Sequence, residues 1–344
     1  MLVSDFDYDL PPGLIAQHPL TDRQESRMMI LNRKTGSINH SVFTEFPNLL
    51  DPGDILVLNS TRVIPARIWG KTDAGSDVEF LFLAEAEPNT WDVLCRPAKK
   101  LRTGNLIFFP EGLKGRVVKT GNEGHRRLFF PSGDVRNVLE KSGYAPLPPY
   151  IKRHKKDEKM RGFDLERYQT VYARDEAAIA APTAGLHFTP SILETVRQKG
   201  ITIVTINLQV GLATFQPVRT ERTENHVMLE EGYSISRNTA RILNRTRQEK
   251  HPLVAVGTTT VRALESAFQD GRIRSGSRKT RLFISPGYTF RVIDRLLTNF
   301  HLPRSTLLML VSALAGREFI LKAYREAVRK KYRFYSYGDC MFIR

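Results

Sequence analysis

The chain of 344 residues holds two cysteines, Cys95 and Cys340, far apart in sequence. That scarcity excludes a disulfide scaffold and a cysteine-based zinc or iron–sulfur site, and it suits a reducing cytosol. Long apolar runs are also missing. The longest, Leu307 to Ala315, falls far short of the roughly 20 residues of a membrane helix. The opening Met1-Leu2-Val3-Ser4-Asp5-Phe6-Asp7-Tyr8-Asp9 is acidic, whereas a secretory signal begins basic and turns apolar. Neither G-x-x-x-x-G-K-[ST] nor G-x-G-x-x-G occurs, and H-E-x-x-H, zinc-finger spacing and heptads are absent too. The eight histidines are dispersed, so no metal is expected. These absences leave a soluble cytoplasmic protein with no membrane partner as the expectation.

Positive charge, by contrast, is abundant. Lys and Arg number 52 against 36 Asp and Glu, a formal charge of +16, which points to a polyanionic partner. It is unevenly spread. Residues 1–59 hold eight acids and four bases, net −4, so the remainder carries +20. Three clusters stand out: Lys152, Arg153, Lys155, Lys156, Lys159 and Arg161; Arg272, Arg274, Arg278, Lys279 and Arg281; and Arg325, Arg329, Lys330, Lys331 and Arg333. Each alone reads equally well as a solvated face. Together they favour a surface for a phosphate backbone, with no accompanying motif that reads bases.

About two domains are expected from length at roughly 150 residues each. Residues 1–68 contain a helix-compatible Leu14 to Gln17 and strand-type runs Met28 to Leu31 and Ile55 to Leu58. From 69 to 143 short β-type runs separated by turns follow one another: Val78–Leu83, Trp91–Cys95, Leu106–Phe109, Arg116–Lys119 and Arg127–Phe130. A helical stretch, Val135–Lys141, closes the segment, and the texture is that of a small antiparallel β-barrel. Gly143 to Pro149 reads as a stiff linker. From 164 onward helices and strands alternate, with Thr189, Ser236 and Ser305 as N-caps, Gly200 as a stop and Leu282–Ser285 as one of the strands. The expected fold is α/β with two domains: an α/β domain of residues 1–68 and 144–344, interrupted by a barrel insert of residues 69–143.

Four runs carry candidate chemistry. Ala180 to Thr189 combines small residues with Pro182 and Gly185, which let backbone approach a ligand, and places His187 before a helix start. Val256 to Glu265 ends a strand at Gly257, then presents Thr258, Thr259 and Thr260 and the cation Arg262 at a helix start, where α/β sheets bind ligands. Thr298 to Thr306 sets Asn299 and His301 at the edge of an apolar helix. Tyr332 to Asp339 supplies stacking faces. Each also has a plain structural reading as a capped loop or packed core.

Taken together, these runs resemble the S-adenosylmethionine:tRNA ribosyltransferase-isomerases of queuosine biosynthesis. The resemblance covers nearly the whole chain. It includes Asp5 to Pro11, Asn59 to Arg67, Pro146 to Arg153 and Arg167-Tyr168-Gln169-Thr170-Val171-Tyr172. It implies transfer and isomerisation of the ribosyl group of S-adenosylmethionine onto 7-aminomethyl-7-deazaguanine at the wobble position of tRNA, with adenine and methionine released. S-adenosylmethionine is the co-substrate and no metal or further cofactor is implied. The partner is the anticodon arm of a tRNA, and a monomer is expected.

The chemistry needs a base beside the sulfonium, a donor for the departing adenine, polar groups for the methionine end and a basic surface for RNA. A hypothesis drawn from the motifs and this chemistry gives catalytic roles to His187, His301 and Glu231, with either histidine as the acid/base. It gives substrate contacts to Pro182, Thr183, Gly185, Gly257, Thr258, Thr259, Arg262, Asn299, Tyr335 and Asp339, with Arg262 on the methionine carboxylate. It gives tRNA contacts to Arg62, Arg67, Lys152, Arg153, Lys155 and Lys156. The chain departs from the family pattern at Gln209 and Ala213, at Leu229 and at Ser60, where His, Gly, His and Asp are usual. Gln209 can hydrogen-bond but not titrate near neutrality, and Leu229 can do neither. The alternative to an active transferase is therefore a divergent relative that binds tRNA or a nucleotide without completing the reaction.

Overall fold

The computed structural model describes residues 1–209, 211 and 218–344. The apolar runs become strands whose alternate side chains enter opposite layers. The opening segment forms β1 Arg27–Asn32, β2 Ser37–Val42, β3 Ile55–Asn59 and β4 Thr61–Val63. Next come β5 Arg67–Thr72, β6 Asp77–Glu87, β7 Thr90–Arg96, β8 Leu106–Phe108, β9 Lys114–Thr120 and β10 His125–Phe129. The remainder holds β11 Asp175–Ala178, β12 Thr202–Leu208, β13 Glu231–Ile235 and β14 Leu253–Val256. A short hairpin, β15 Phe268–Gln269 with β16 Arg272–Ile273, precedes β17 Gly276–Thr280, β18 Arg295–Asn299 and β19 Cys340–Ile343. The helices are α1 Val135–Ser142, α2 Glu158–Arg167, α3 Pro190–Gln198, α4 Arg237–Gln248, α5 Thr258–Ala267, α6 Thr306–Ala315 and α7 Arg317–Arg329.

One sheet of nine strands runs in the order β17-β13-β12-β3-β14-β18-β19-β1-β2. Its central strands β12, β3, β14 and β18 are parallel. On β3, Ile55 and Val57 join a core with residues of α4, α5, α6 and α7. Leu56 and Leu58 join the opposite core with Ile192, Leu193 and Val196 of α3 and with Phe43 and Phe46. The result is a sheet between two helical layers. The barrel is closed, in the order β10-β7-β6-β5-β8-β9, with antiparallel pairing throughout. Phe80, Phe82, Val93, Ile107, Val117 and Leu128 fill it, and Val135, Val138 and Leu139 of α1 pack on that core.

Thr189, Ser236 and Ser305 each accept a backbone N–H in the first turn of α3, α4 and α6, so the caps do what their sequence positions imply. Two local expectations change. Leu282–Ser285 is not a strand: Leu282 N–H donates to Thr280 Oγ1 at 3.0 Å, and its carbonyl accepts from Arg262 Nε at 3.0 Å. Its backbone groups are therefore engaged by side chains, and β17 is the strand of that region. Leu14 to Gln17 is not a helix, because a single tight turn at Pro12–Leu14 leads into a bridge from Ile15 to Phe334. Gly143 to Pro149, expected as a stiff linker, is tied to the barrel where Tyr144 exchanges backbone hydrogen bonds of 2.7 and 3.2 Å with Arg67.

Gly143 marks a tight crossing. A Cβ there would lie 2.0 Å from the Pro65 carbonyl oxygen and 2.4 Å from that of Leu139. Backbone cannot yield as a flexible side chain does. Gly143→Ala is expected to cost about 3 kcal/mol or more, read as a lower urea midpoint at unchanged m-value.

Candidate active site

Parallel pairing brings the carboxyl ends of β3, β14 and β18 to one edge of the sheet, and the chain turns there at Ser60, Gly257 and Phe300. At this edge lies a narrow cleft of about 70 Å³. All four chemical runs line it, with Ala181–Ala184, Gly257–Thr259, Thr298–Leu302 and the pair Tyr335 and Ser336, and Tyr150 adds to the wall.

Gly257 has φ +87° and leads straight into α5 with no side-chain cap. A side chain at that φ is strained, and the first-turn N–H groups are left for another partner. Thr260 Oγ1 donates back to the Val256 carbonyl at 2.6 Å. Thr259 Oγ1 is buried with no partner among the described residues, and so is Asn299 Oδ1. The other end of that amide is fixed: Asn299 Nδ2 donates to the Tyr335 carbonyl at 3.0 Å and stands 3.3 Å from His187 Nε2. Buried polar atoms are nearly always paired, so two unpaired ones on residues of one cleft mark where a polar ligand belongs.

The two histidines differ in place. His301 lines the cleft, with Nε2 3.0 Å from Thr298 Oγ1. Its N–H donates to Tyr324 Oη at 3.0 Å, and its carbonyl accepts from Tyr8 Oη. Burial pushes its pKa down to about 3. His187 lies behind Asn299 against Phe43 and lines a smaller recess with Arg23 and Arg167. Burial pushes it down to about 4; the Asn299 hydrogen bond opposes this and the Arg23 and Arg333 cations reinforce it. Both imidazoles are neutral at pH 7.

Among the other expected site residues, Pro182, Thr183, Thr258 and Tyr335 line the cleft. Gly185 lies beneath it, where a Cβ would sit 2.0 Å from Tyr172 Oη. Arg262 and Glu231 do not line it. They form a buried ion pair in which Arg262 Nε also holds the Leu282 carbonyl and Glu231 Oε1 accepts the Gly211 N–H at 3.1 Å. Arg262 Nη2 has no partner among the described residues. Asp339 is buried away from the cleft, accepting the N–H groups of Arg27 and Arg333 at 3.0 and 2.8 Å. It clamps the C-terminal loop, and burial raises its pKa.

The RNA residues divide similarly. Arg62, Lys152, Lys155 and Lys156 are exposed, Lys156 beside Asp77 at 3.1 Å. Arg67 and Arg153 are turned inward instead. Arg67 donates to the Leu147 carbonyl at 2.6 Å, and Arg153 grips Asp164 with two bonds of 2.8 and 3.0 Å. Freeing Arg153 for a phosphate would strand a buried carboxylate. Tyr150 was missing from the sequence-based set although it lies in the matched stretch Pro146 to Arg153; its hydroxyl is 2.6 Å from Ser336 Oγ and its ring 4.6 Å from Tyr335. The departures lie off the cleft wall: Ser60 Oγ donates to the Ile206 carbonyl, Gln209 sits against Gly232, and Leu229 is half exposed. Ala213 lies outside the described residues.

The profile of a family described as "Queuosine biosynthesis protein" matches residues 3–343. The chain belongs to this queuosine biosynthesis family. Relatives named S-adenosylmethionine:tRNA ribosyltransferase-isomerase are 49% identical in Citrifermentans bemidjiense and 50% identical in Moorella thermoacetica, each covering all of both chains. The crystal structure of an S-adenosylmethionine tRNA ribosyltransferase from Thermotoga maritima is similar with TM-score 0.56 at 38% identity, covering 99% of this chain and 100% of that one. Among the described residues of this queuosine family member, no helix is long and apolar enough to cross a membrane.

The neutral histidines predict a pH dependence. Each has a folded pKa below its ordinary 6.5, so the unfolded chain binds more protons between the two values. Stability is fully present above about 6.5 and falls as pH drops toward 4, by up to about 1.4 kcal/mol per pH unit for each group. Chemical denaturation at pH 7, 6 and 5 should show a shallower loss in His301→Gln than in the parent. Equal slopes would contradict the assignment.

Proposed function

We propose that the protein is an active S-adenosylmethionine:tRNA ribosyltransferase-isomerase, working as a cytoplasmic monomer without a metal. It moves the ribosyl group of S-adenosylmethionine to the deazaguanine precursor at the tRNA wobble position and releases adenine and methionine. The observation that carries this reading is about half identity, over the entire length, to relatives named for that activity. The cleft has the mixed apolar and polar lining of a small-molecule site.

The cleft residues divide the work by chemistry. Thr259 Oγ1 and Asn299 Oδ1 take the ribose hydroxyls or the adenine edge, which satisfies both atoms. The uncapped N-terminus of α5 attracts the methionine carboxylate, and Arg262, held in place by Glu231, reinforces that positive field from behind. The sulfonium acidifies the adjacent C–H, and neutral His301 accepts that proton. His301 then returns the proton to the departing adenine. His187 orients the Asn299 amide and is a positioning residue. Tyr150 and Tyr335 offer aromatic walls to the base, and the unpaired lysines near Lys152 hold the RNA phosphates.

The test is incubation with S-adenosylmethionine and tRNA bearing the precursor base. Adenine release should match the mass gain of the tRNA one for one; tRNA binding with no adenine release would overturn the reading. Within that assay, His301→Gln should lower kcat by about 100-fold or more. Thr259→Val should raise KM for S-adenosylmethionine about tenfold, the worth of one hydrogen bond, with kcat nearly kept.

A further inference from the structure

The outer face of the barrel carries a pattern that the cleft chemistry does not use. Phe108 points away from the barrel core that its neighbour Ile107 enters, and it is 40% exposed. Its two partners across the sheet are both lysines, Lys71 on β5 and Lys114 on β9. Lys114 Nζ stands 5.8 Å from the centre of its ring. The next row repeats the pattern: Arg116 on β9 is paired with Leu106 on β8 and with Phe129 on β10. Leu106 and Phe129 are each 38% exposed. Lys71, Lys114 and Arg116 are exposed and form no ion pair among the described residues. Two rows thus alternate apolar or aromatic faces with unneutralised cations.

The platform continues into a recess of about 560 Å³ between the barrel and α2, which Lys71 and Phe108 line together with Trp69 and Tyr144. Trp69 Nε1 is buried without an acceptor among the described residues, and an indole N–H can only donate. The acids of this recess are already engaged, Asp77 by Lys156 and Glu158 by the Tyr144 hydroxyl.

We propose that the outer face of β5, β8, β9 and β10 is a second RNA-binding site, which takes unpaired nucleotides of the tRNA other than the wobble residue. Bases stack on Phe108 and Phe129, phosphates sit on Lys71, Lys114 and Arg116, and Trp69 donates to a base or phosphate acceptor in the recess. Aromatic faces stack any base, and interleaved cations follow the backbone, so recognition here is tolerant of sequence. A protein partner would need an acidic face with no demand for stacking; the doubled aromatic–cation register favours RNA. The proposal rests on the tRNA-modifying reading above.

The experiment measures tRNA affinity at several salt concentrations for the full chain and for surface variants. Lys71→Ala, Lys114→Ala and Arg116→Ala combined should weaken binding by tenfold or more and reduce the salt slope by about 1 per cation removed. Phe108→Ala with Phe129→Ala should weaken binding about tenfold with the slope kept. KM for S-adenosylmethionine should not move in either. Addition of tRNA should quench tryptophan fluorescence in the parent and much less in Trp69→Phe, since Trp91, the other tryptophan, is buried. Unchanged affinity, slope and quenching in variants that still bind and modify tRNA would overturn this site alone. Capture of an acidic protein by this face with RNA affinity unmoved would overturn it as well. A parent protein that binds no tRNA would instead sink the proposed function, and this site with it.

Discussion

Parallel pairing of β12, β3, β14 and β18 is the constraint on which the rest of the structure depends. Four parallel strands must all end at the same edge, so residues as distant in sequence as Thr183, Gly257 and Asn299 become neighbours of one crevice. The neighbours of β3 are reached past helices on opposite faces, β12 past α3 in one core and β14 past α4 in the other. Crossovers that diverge in this way leave an opening at the strand ends, where open α/β sheets bind ligands. Everything chemical follows from what the chain places there: a glycine that turns without a cap, a threonine and an amide with unpaired atoms, and a buried neutral imidazole.

The electrostatics serve that edge in two ways. The acidic opening segment is not a repelling tail. Asp7 binds Arg304, Asp5 approaches Arg317, and Tyr8 holds the carbonyl of His301. Part of the basic excess is likewise internal, as Arg153 on Asp164 and Arg161 on three backbone carbonyls show. The cations left for a polyanion are fewer than the formal charge indicates. Those on the exposed part of the Lys152 cluster and on the outside of the barrel are joined by exposed cations of the other two clusters, such as Arg272, Arg325 and Lys330.

Local signals in the sequence were legible where one residue decides the outcome. Thr189, Ser236 and Ser305 cap because their oxygens reach the first turn whatever surrounds them, and the turn-separated β runs closed into a barrel. The alternation of helix and strand gave the layered sheet. Other features depend on partners far along the chain. Helix α2 buries only Asp164, so it leaves no apolar period to read. Arg262 looked like a free grip for a carboxylate because Glu231 is 31 residues away, and Arg67 and Arg153 looked like surface cations for the same reason. Of the two histidines only His301 faces the cleft, a distinction set by Asn299 standing in front of His187.

The account stands most directly on where S-adenosylmethionine binds. A crystal structure of the protein soaked with it should show the ligand in the cleft at the ends of β3, β14 and β18, within hydrogen-bond distance of Thr259 Oγ1 and Asn299 Oδ1 and with its carboxylate at the start of α5. Ligand bound elsewhere, with those two atoms still unpaired, would contradict it.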